Sequence, residues 1–293
     1  MQDLRLLTAM VTPYNDDLEI NYEKVSEVAR HLANNGTDGI VVAGTTGESP
    51  VLSPEEKLKL LKTTKEAVGS KVKVWAGTGS NNTNESVYLT KEAEKIGADG
   101  IMLVTPYYNK PSQEGLYLHF KTIAEKVSIP VMLYNVPGRT SSNLLPETIK
   151  RLVEIENIMA VKEASGNMDQ VSLLKTMIKD KAVIYSGDDS LTMPIMALGG
   201  HGVVSIASHI VGKQIKEMIN SFLANDIQKA IETHLRLFPI FKGLFITTNP
   251  VPLKEALNML GMDVGGFRLP LTNATYEEQG IIRGILMDNN IIK

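Results

Sequence analysis

The strongest constraint in this sequence is a recurrence. Short apolar runs begin near Leu6, Gly39, Val72, Ile101, Val131, Ile158, Ala182 and Val203, with 21 to 33 residues between successive starts. Most are four to six residues long and rich in Val, Ile, Leu or Met. Unbroken apolarity, rather than alternation, suits parallel strands buried on both faces. Each interval has room for one helix. Residues 21–35 place Val25, Val28, Ala29 and Leu32 at helical spacing. Ser53-Pro54-Glu55-Glu56 is a helix start, with a capping hydroxyl, a proline at the first position and acids in the first turn, and Gly69 ends that helix. Segments 84–96, 113–127, 146–154 and 168–179 repeat the pattern.

Eight strand–helix units in alternation predict an α/β chain folded as a (β/α)8 TIM barrel over residues 1–224. An open doubly wound sheet competes, and the lack of a Gly-x-Gly-x-x-Gly opening disfavours it. Residues 225–293 hold no strand-like run, while 226–241, 252–260 and 276–287 read as helices. An all-helical C-terminal extension is therefore expected. An internal echo links Gly36-Thr37-Asp38-Gly39, Gly97-Ala98-Asp99-Gly100 and Gly199-Gly200-His201-Gly202. Each reads as a helix end, a tight turn and a strand start.

Composition removes several classes. Thirty Lys and Arg against 33 Asp and Glu leave a formal charge of −3, without a block of like charge. A nucleic-acid binder usually carries a basic surplus or stripe. No apolar run approaches the roughly 18 residues of a membrane span, and residues 1–11 do not read as a signal peptide, so a cytoplasmic protein without a membrane partner is expected. The absence of cysteine excludes disulfides, thiolate zinc sites, iron–sulfur clusters and cysteine nucleophiles. His31, His119, His201, His209 and His234 form no His-x-x-x-His pair, so no metal-ligand set is visible. A phosphate loop of the Gly-x-x-x-x-Gly-Lys-Ser/Thr type is also missing.

Barrels of this kind place chemistry at the C-terminal ends of their strands. There, Met159-Ala160-Val161-Lys162-Glu163-Ala164 sets an ammonium in a run that should be buried. Burial disfavours the charged form of an amine, and the neutral amine attacks a carbonyl to form a Schiff base. The competing role is a structural ion pair, for which Glu163 is poorly placed because adjacent strand residues face opposite ways. Thr45-Thr46 lies between two glycines and can turn its N–H groups toward a carboxylate; an ordinary glycine turn is the alternative. Tyr134 ends the strand before Lys162 and can shuttle a proton, or simply be a core tyrosine. Arg139 can clamp a second carboxylate, or form a loop salt bridge. Asp188 and Asp189 precede a helix and read as caps.

Taken together, Gly44-Thr45-Thr46-Gly47-Glu48, Tyr134-Asn135-Val136-Pro137-x-Arg139-Thr140 and the Lys162 strand resemble the pyruvate-dependent class I aldolases of the dihydrodipicolinate synthase / N-acetylneuraminate lyase superfamily. The resemblance runs from about Thr8 to the C-terminus. It is closest to the synthase branch, which also matches 104–115 (Val-Thr-Pro-Tyr-Tyr-Asn-Lys-Pro-Ser-Gln-Glu-Gly) and Tyr185-Ser186-Gly187-Asp188-Asp189. It implies that Lys162 forms a Schiff base with pyruvate, that the amides of Thr45 and Thr46 hold the pyruvate carboxylate, and that Tyr134, Thr45 and Tyr108 form a hydroxyl relay. It further implies that Arg139 binds the carboxylate of L-aspartate 4-semialdehyde and that Gly187 and Val204 contribute backbone carbonyls. Tyr108 would reach across from a neighbouring subunit, which implies a homo-oligomer, dimer or tetramer. No cofactor and no metal is implied. Arg139 favours the synthase over an aldolase acting on a sugar acid. A barrel that binds a 2-keto acid without turnover is the non-enzymatic alternative, against which Lys162, Tyr134, Thr45 and Tyr108 all stand.

The same resemblance bears on feedback by lysine. Ser49, Asn81, Glu85 and Tyr107 match positions that bind lysine in inhibited members, but Pro54 and Lys57 stand where those members carry histidines. Lys57 sets a fixed positive charge near a cationic ligand, a repulsion of roughly 4 kcal/mol at about 4 Å and an effective dielectric near 20. Weak or absent inhibition by lysine is expected; Lys57 on a merely exposed helix face is the competing reading.

Overall fold

The computed structural model describes residues 3–292. Its strands are β1 (Leu6–Ala9), β2 (Gly39–Val42), β3 (Lys73–Gly77), β4 (Gly100–Val104), β5 (Val131–Asn135), β6 (Ile158–Glu163), β7 (Val183–Ser186) and β8 (Gly202–Ser205). They hydrogen-bond in chain order as a closed barrel. Each start lies within one residue of its expected place. Val, Ile and Leu lining these strands are buried almost without exception, as strands covered on both faces require.

The intervening segments are helical for the reasons foreseen. Ser53 and Glu56 form a reciprocal capping box at the start of the helix Pro54–Val68, whose C-cap is Gly69. Asn82 and Asn167 cap the helices Thr83–Ile96 and Met168–Ile178 through their side chains. The segment between β7 and β8 is the shortest, and it yields only a 3-10 turn, Asp189–Leu191, and a six-residue helix, Thr192–Ala197. Asp188 caps that turn by accepting from the Ser190 N–H. After β8 there are helices only: Ser208–Leu223, Ile227–Gly243, Val251–Met259 and Tyr276–Asp288. Among the described residues no helix is long and apolar enough to cross a membrane.

By their contacts the residues fall into two compact units. One gathers Val74–Val204 with residues 3–5, and the other gathers Leu6–Lys73 with residues 205–292. The echo seen in the sequence has a job in each. In one unit Asp38 accepts the Leu6 N–H at 2.9 Å, and in the other Asp99 accepts the Val74 N–H at 2.9 Å. The Asp of each Asp-Gly turn thus pins the start of the preceding odd-numbered strand.

His209 is a buried group with a pH consequence. Its Nδ1 lies 2.9 Å from the Ile206 carbonyl, and its Nε2 lies 3.3 Å from the Val11 N–H. That pair of partners requires the neutral tautomer, Nδ1 donating and Nε2 accepting. Burial pushes its pKa down to about 4. An unfolded chain binds this proton near pH 6.5, so stability is full above that value and is lost as pH falls toward 4. His209 should contribute a loss of about 2 kcal/mol between pH 7.5 and pH 5. Urea denaturation at the two pH values tests this. An equal pH slope in wild type and His209→Asn would contradict it.

Candidate active site

β5 and β6 pair with Tyr134 opposite Lys162 and Asn135 opposite Glu163. Successive strand residues point to opposite faces. Glu163 meets Gln170 of the helix Met168–Ile178, at 3.3 Å, so Asn135 and Glu163 face the helix layer and Tyr134 and Lys162 face the barrel interior. Lys162 is 5% exposed, and its Nζ stands 4.0 Å from the centroid of the Tyr134 ring. Among the described residues, no carboxylate and no hydrogen-bond acceptor takes that Nζ. The Glu163 carboxylate is occupied instead by Asn135, Gln170 and the Ser165 N–H. The structural ion pair is thereby set aside. The ammonium rests against an aromatic face, which attracts a cation.

Gly187 follows β7 and donates its N–H to the Glu163 carbonyl at 2.8 Å. A Cβ there would lie 3.2 Å from Lys162 Cε and 2.6 Å from Ala164 Cβ. A side chain there would clash with Ala164 and crowd the lysine stem. Val204 is buried on β8. Arg139 sits in the single turn Pro137–Thr140 that follows β5, and its side chain is exposed. The Thr140 hydroxyl closes this turn by donating to the Ser142 carbonyl at 2.8 Å and accepting the Ser142 N–H at 3.2 Å. Tyr108 follows β4, with φ at +73° and 88% exposure, and its N–H reaches the Thr140 carbonyl at 3.4 Å. Lys162, Tyr134 and Gly187 are thus brought together, while Arg139 and Tyr108 occupy adjoining exposed loops.

In the other unit, the loop after β2 begins at Ala43 and closes at Glu48, both in left-handed conformations, with φ at +53° and +58°. Among the described residues no acceptor takes the N–H of Thr45 or Thr46. Two successive unclaimed amides on such a loop form a concavity suited to an anion. The Thr46 hydroxyl is held by Asn249, whose amide donates to it at 3.1 Å. The loop's far end is anchored by a fully buried ion pair, Glu48 with Lys254, at 3.1 Å. Lys254 also donates to the carbonyls of Thr12 and Gly266. Burial raises the pKa of the Glu48 carboxyl and lowers that of Lys254 to about 8. Their mutual attraction and the two carbonyls offset part of that desolvation. Arg268 extends the cluster, with its N–H on Glu48 and its guanidinium bidentate on Glu56 at 2.9 and 2.7 Å.

Of the residues matched to a lysine site, Ser49 opens a 3-10 turn, and Pro54 and Lys57 lie in the first turns of the helix Pro54–Val68. Lys57 is half-buried and has an interaction partner of its own. In the other unit, the Asn81 amide donates to the Tyr107 carbonyl at 3.2 Å, and Glu85 accepts from the Ser80 hydroxyl at 3.1 Å. Burial, then the Glu85 charge, raises the Tyr107 phenol. Among the described residues, no three His, Asp or Glu converge as metal ligands.

Sequence reasoning left Glu48 without a role and did not single out Lys254, Asn249 or Arg268. One signal was present. Lys254 falls on the apolar face of its helix, three residues after Val251 and three before Leu257, both buried.

Comparison with known proteins gives the family of the chain. A family model described as the dihydrodipicolinate synthetase family matches residues 2–288. A protein of Desulforudis audaxviator, named 4-hydroxy-tetrahydrodipicolinate synthase, is 56% identical over 98% of both chains. A crystal structure of a dihydrodipicolinate synthase from Bacillus anthracis superposes with a TM-score of 0.95 at 47% identity, covering 98% of this chain and 99% of that one. The enzyme from Cyanidioschyzon merolae, crystallised with lysine bound, gives a TM-score of 0.96 at 44% identity over 98% of each chain.

Proposed function

The chain belongs to the dihydrodipicolinate synthetase family, and from that premise we infer how its residues perform the reaction. It is a lyase that condenses pyruvate with L-aspartate 4-semialdehyde in lysine and diaminopimelate biosynthesis. The Lys162 amine attacks the pyruvate ketone and expels water to form an imine. The protonated imine withdraws electrons, so a methyl proton departs and an enamine forms. The enamine carbon bonds to the aldehyde carbon, whose oxygen takes up a proton. The amino group of the adduct then attacks the imine carbon, releases Lys162 and closes the ring.

The observation that carries this reading is Lys162 itself, buried beside Tyr134 with no anion to hold it as a structural cation. Tyr134 moves protons at the carbinolamine and aldehyde oxygens, in relay with Thr45 and with Tyr108 of a neighbouring subunit. The free amides of Thr45 and Thr46 hold the pyruvate carboxylate. Arg139 takes the carboxylate of the aldehyde substrate through its planar fork, and Gly187 and Val204 present carbonyls beside the site. The reading has the enzyme act in the cytoplasm as a homo-oligomer, a dimer or tetramer. The 88% exposure of Tyr108 in the single chain supports a role for it across a subunit boundary. Consumption of pyruvate at catalytic enzyme concentration, dependent on L-aspartate 4-semialdehyde, tests the assignment. Binding of pyruvate without turnover would overturn it.

Feedback by lysine is expected to be weak. Pro54 has no side chain with which to hydrogen-bond, and Lys57 adds a positive charge. Little inhibition is expected at millimolar lysine. A dose–response curve reaching half-inhibition at submillimolar lysine would contradict this.

A further inference from the structure

We propose that Asn135 and Glu163 are positioning residues that lock the lysine-bearing strand and the arginine-bearing turn into one geometry. This rests on the roles of Lys162 and Arg139 inferred above. Both residues are buried, paired in register, and one residue beyond Tyr134 and Lys162. The Asn135 amide donates to both Glu163 oxygens, at 3.3 and 3.2 Å, and to Asn143 Oδ1 at 2.8 Å. Its own oxygen accepts the Leu144 N–H at 2.9 Å. The segment 136–143, which carries Arg139, therefore departs from Asn135 and is tied back to it. Gln170 completes the arrangement. Its amide nitrogen donates to Asn143 and Glu163, at 3.2 and 3.3 Å, and its oxygen accepts from Asn143 at 2.8 Å.

Packing β5 on β6 does not need this. The residues before it on the same strand faces, Leu133 and Val161, are apolar and fully buried, and apolar replacement of buried polar groups is often neutral or stabilising. A buried carboxylate satisfied by amides and one N–H specifies direction and register in a way apolar contacts do not. It occurs where two reactive side chains must be held and where the Arg139 turn begins and ends.

The test combines steady-state kinetics for both substrates, borohydride trapping of pyruvate and thermal denaturation. Asn135→Asp removes the donor and sets a carboxylate against Glu163. We expect a fall in kcat and a rise in KM for L-aspartate 4-semialdehyde of roughly tenfold or more, a smaller change in KM for pyruvate, and slower trapping. The double variant Asn135→Asp with Glu163→Gln puts the donor on the other strand and should regain most of the loss. Glu163→Gln alone keeps the shape, and it carries the test if Asn135→Asp fails to fold, with a smaller rise of the same sign. Folded variants with wild-type KM and trapping rate would overturn the proposal. So would a fall in kcat that only follows the folded fraction. If wild-type enzyme fails to trap pyruvate, the reading of Lys162 falls, and this inference falls with it.

Discussion

Lys162→Ala is expected to lower turnover of pyruvate with L-aspartate 4-semialdehyde on the order of 10⁴-fold or more, without loss of stability. The two halves of that expectation have one cause. A buried ammonium with no anion partner has given up its hydration for little in return. Removing it relieves that desolvation and should leave the melting temperature equal to or above that of wild type. A structural lysine would behave in the opposite way, because its loss would strand a buried carboxylate. Glu163, the adjacent acid, is satisfied by other groups in the structure. Parallel assays of activity and thermal denaturation separate the cases. A variant that loses activity only in proportion to its loss of fold would contradict the catalytic role.

Lys254→Met should do the reverse, with a stability loss of about 3–5 kcal/mol. The side chains of Lys254 and Glu48 are 0% and 1% exposed. Removing the ammonium leaves a carboxylate in the interior with only the Arg268 N–H, at 3.4 Å, as a donor among the described residues. By contrast, the pair Arg151–Glu114 is about half exposed on both sides, and such pairs contribute about 0.2–1 kcal/mol. Adding Glu48→Gln to Lys254→Met removes the stranded charge and should recover a large part of the loss. Urea denaturation of the three variants is the measurement. A Lys254→Met effect below about 1 kcal/mol would show that the pair is not the anchor assigned to it. Because Glu48 ends the Thr45-Thr46 loop, the folded fraction of Lys254→Met should also bind pyruvate more weakly.

What the sequence made legible follows from where each signal lives. Parallel strands buried on both faces read as unbroken Val, Ile and Leu runs, so the eight strands and their order were visible along the chain. The start of the helix Pro54–Val68 was equally local, since its cap, proline and acids all lie within four residues. Lys162 stood out because a charge in such a run breaks the pattern. The Glu48–Lys254 pair joins residues 206 apart. Nothing near Glu48 names a partner that only folding brings to it. Asn135 and Asn143 read as ordinary polar residues at a strand end and in a loop. Their importance lies in how the turn after β5 folds back, which depends on hydrogen-bond geometry rather than on residue type. Tyr108 lies between these cases. Its motif was visible, while its left-handed backbone and its exposure belong to the folded loop.

Borohydride trapping of pyruvate on the wild-type enzyme, followed by peptide mapping by mass spectrometry, tests the central claim most directly. The account predicts one pyruvyl adduct, on the peptide carrying Lys162, and none in Lys162→Ala. An adduct on another lysine, or equal trapping in Lys162→Ala, would contradict it.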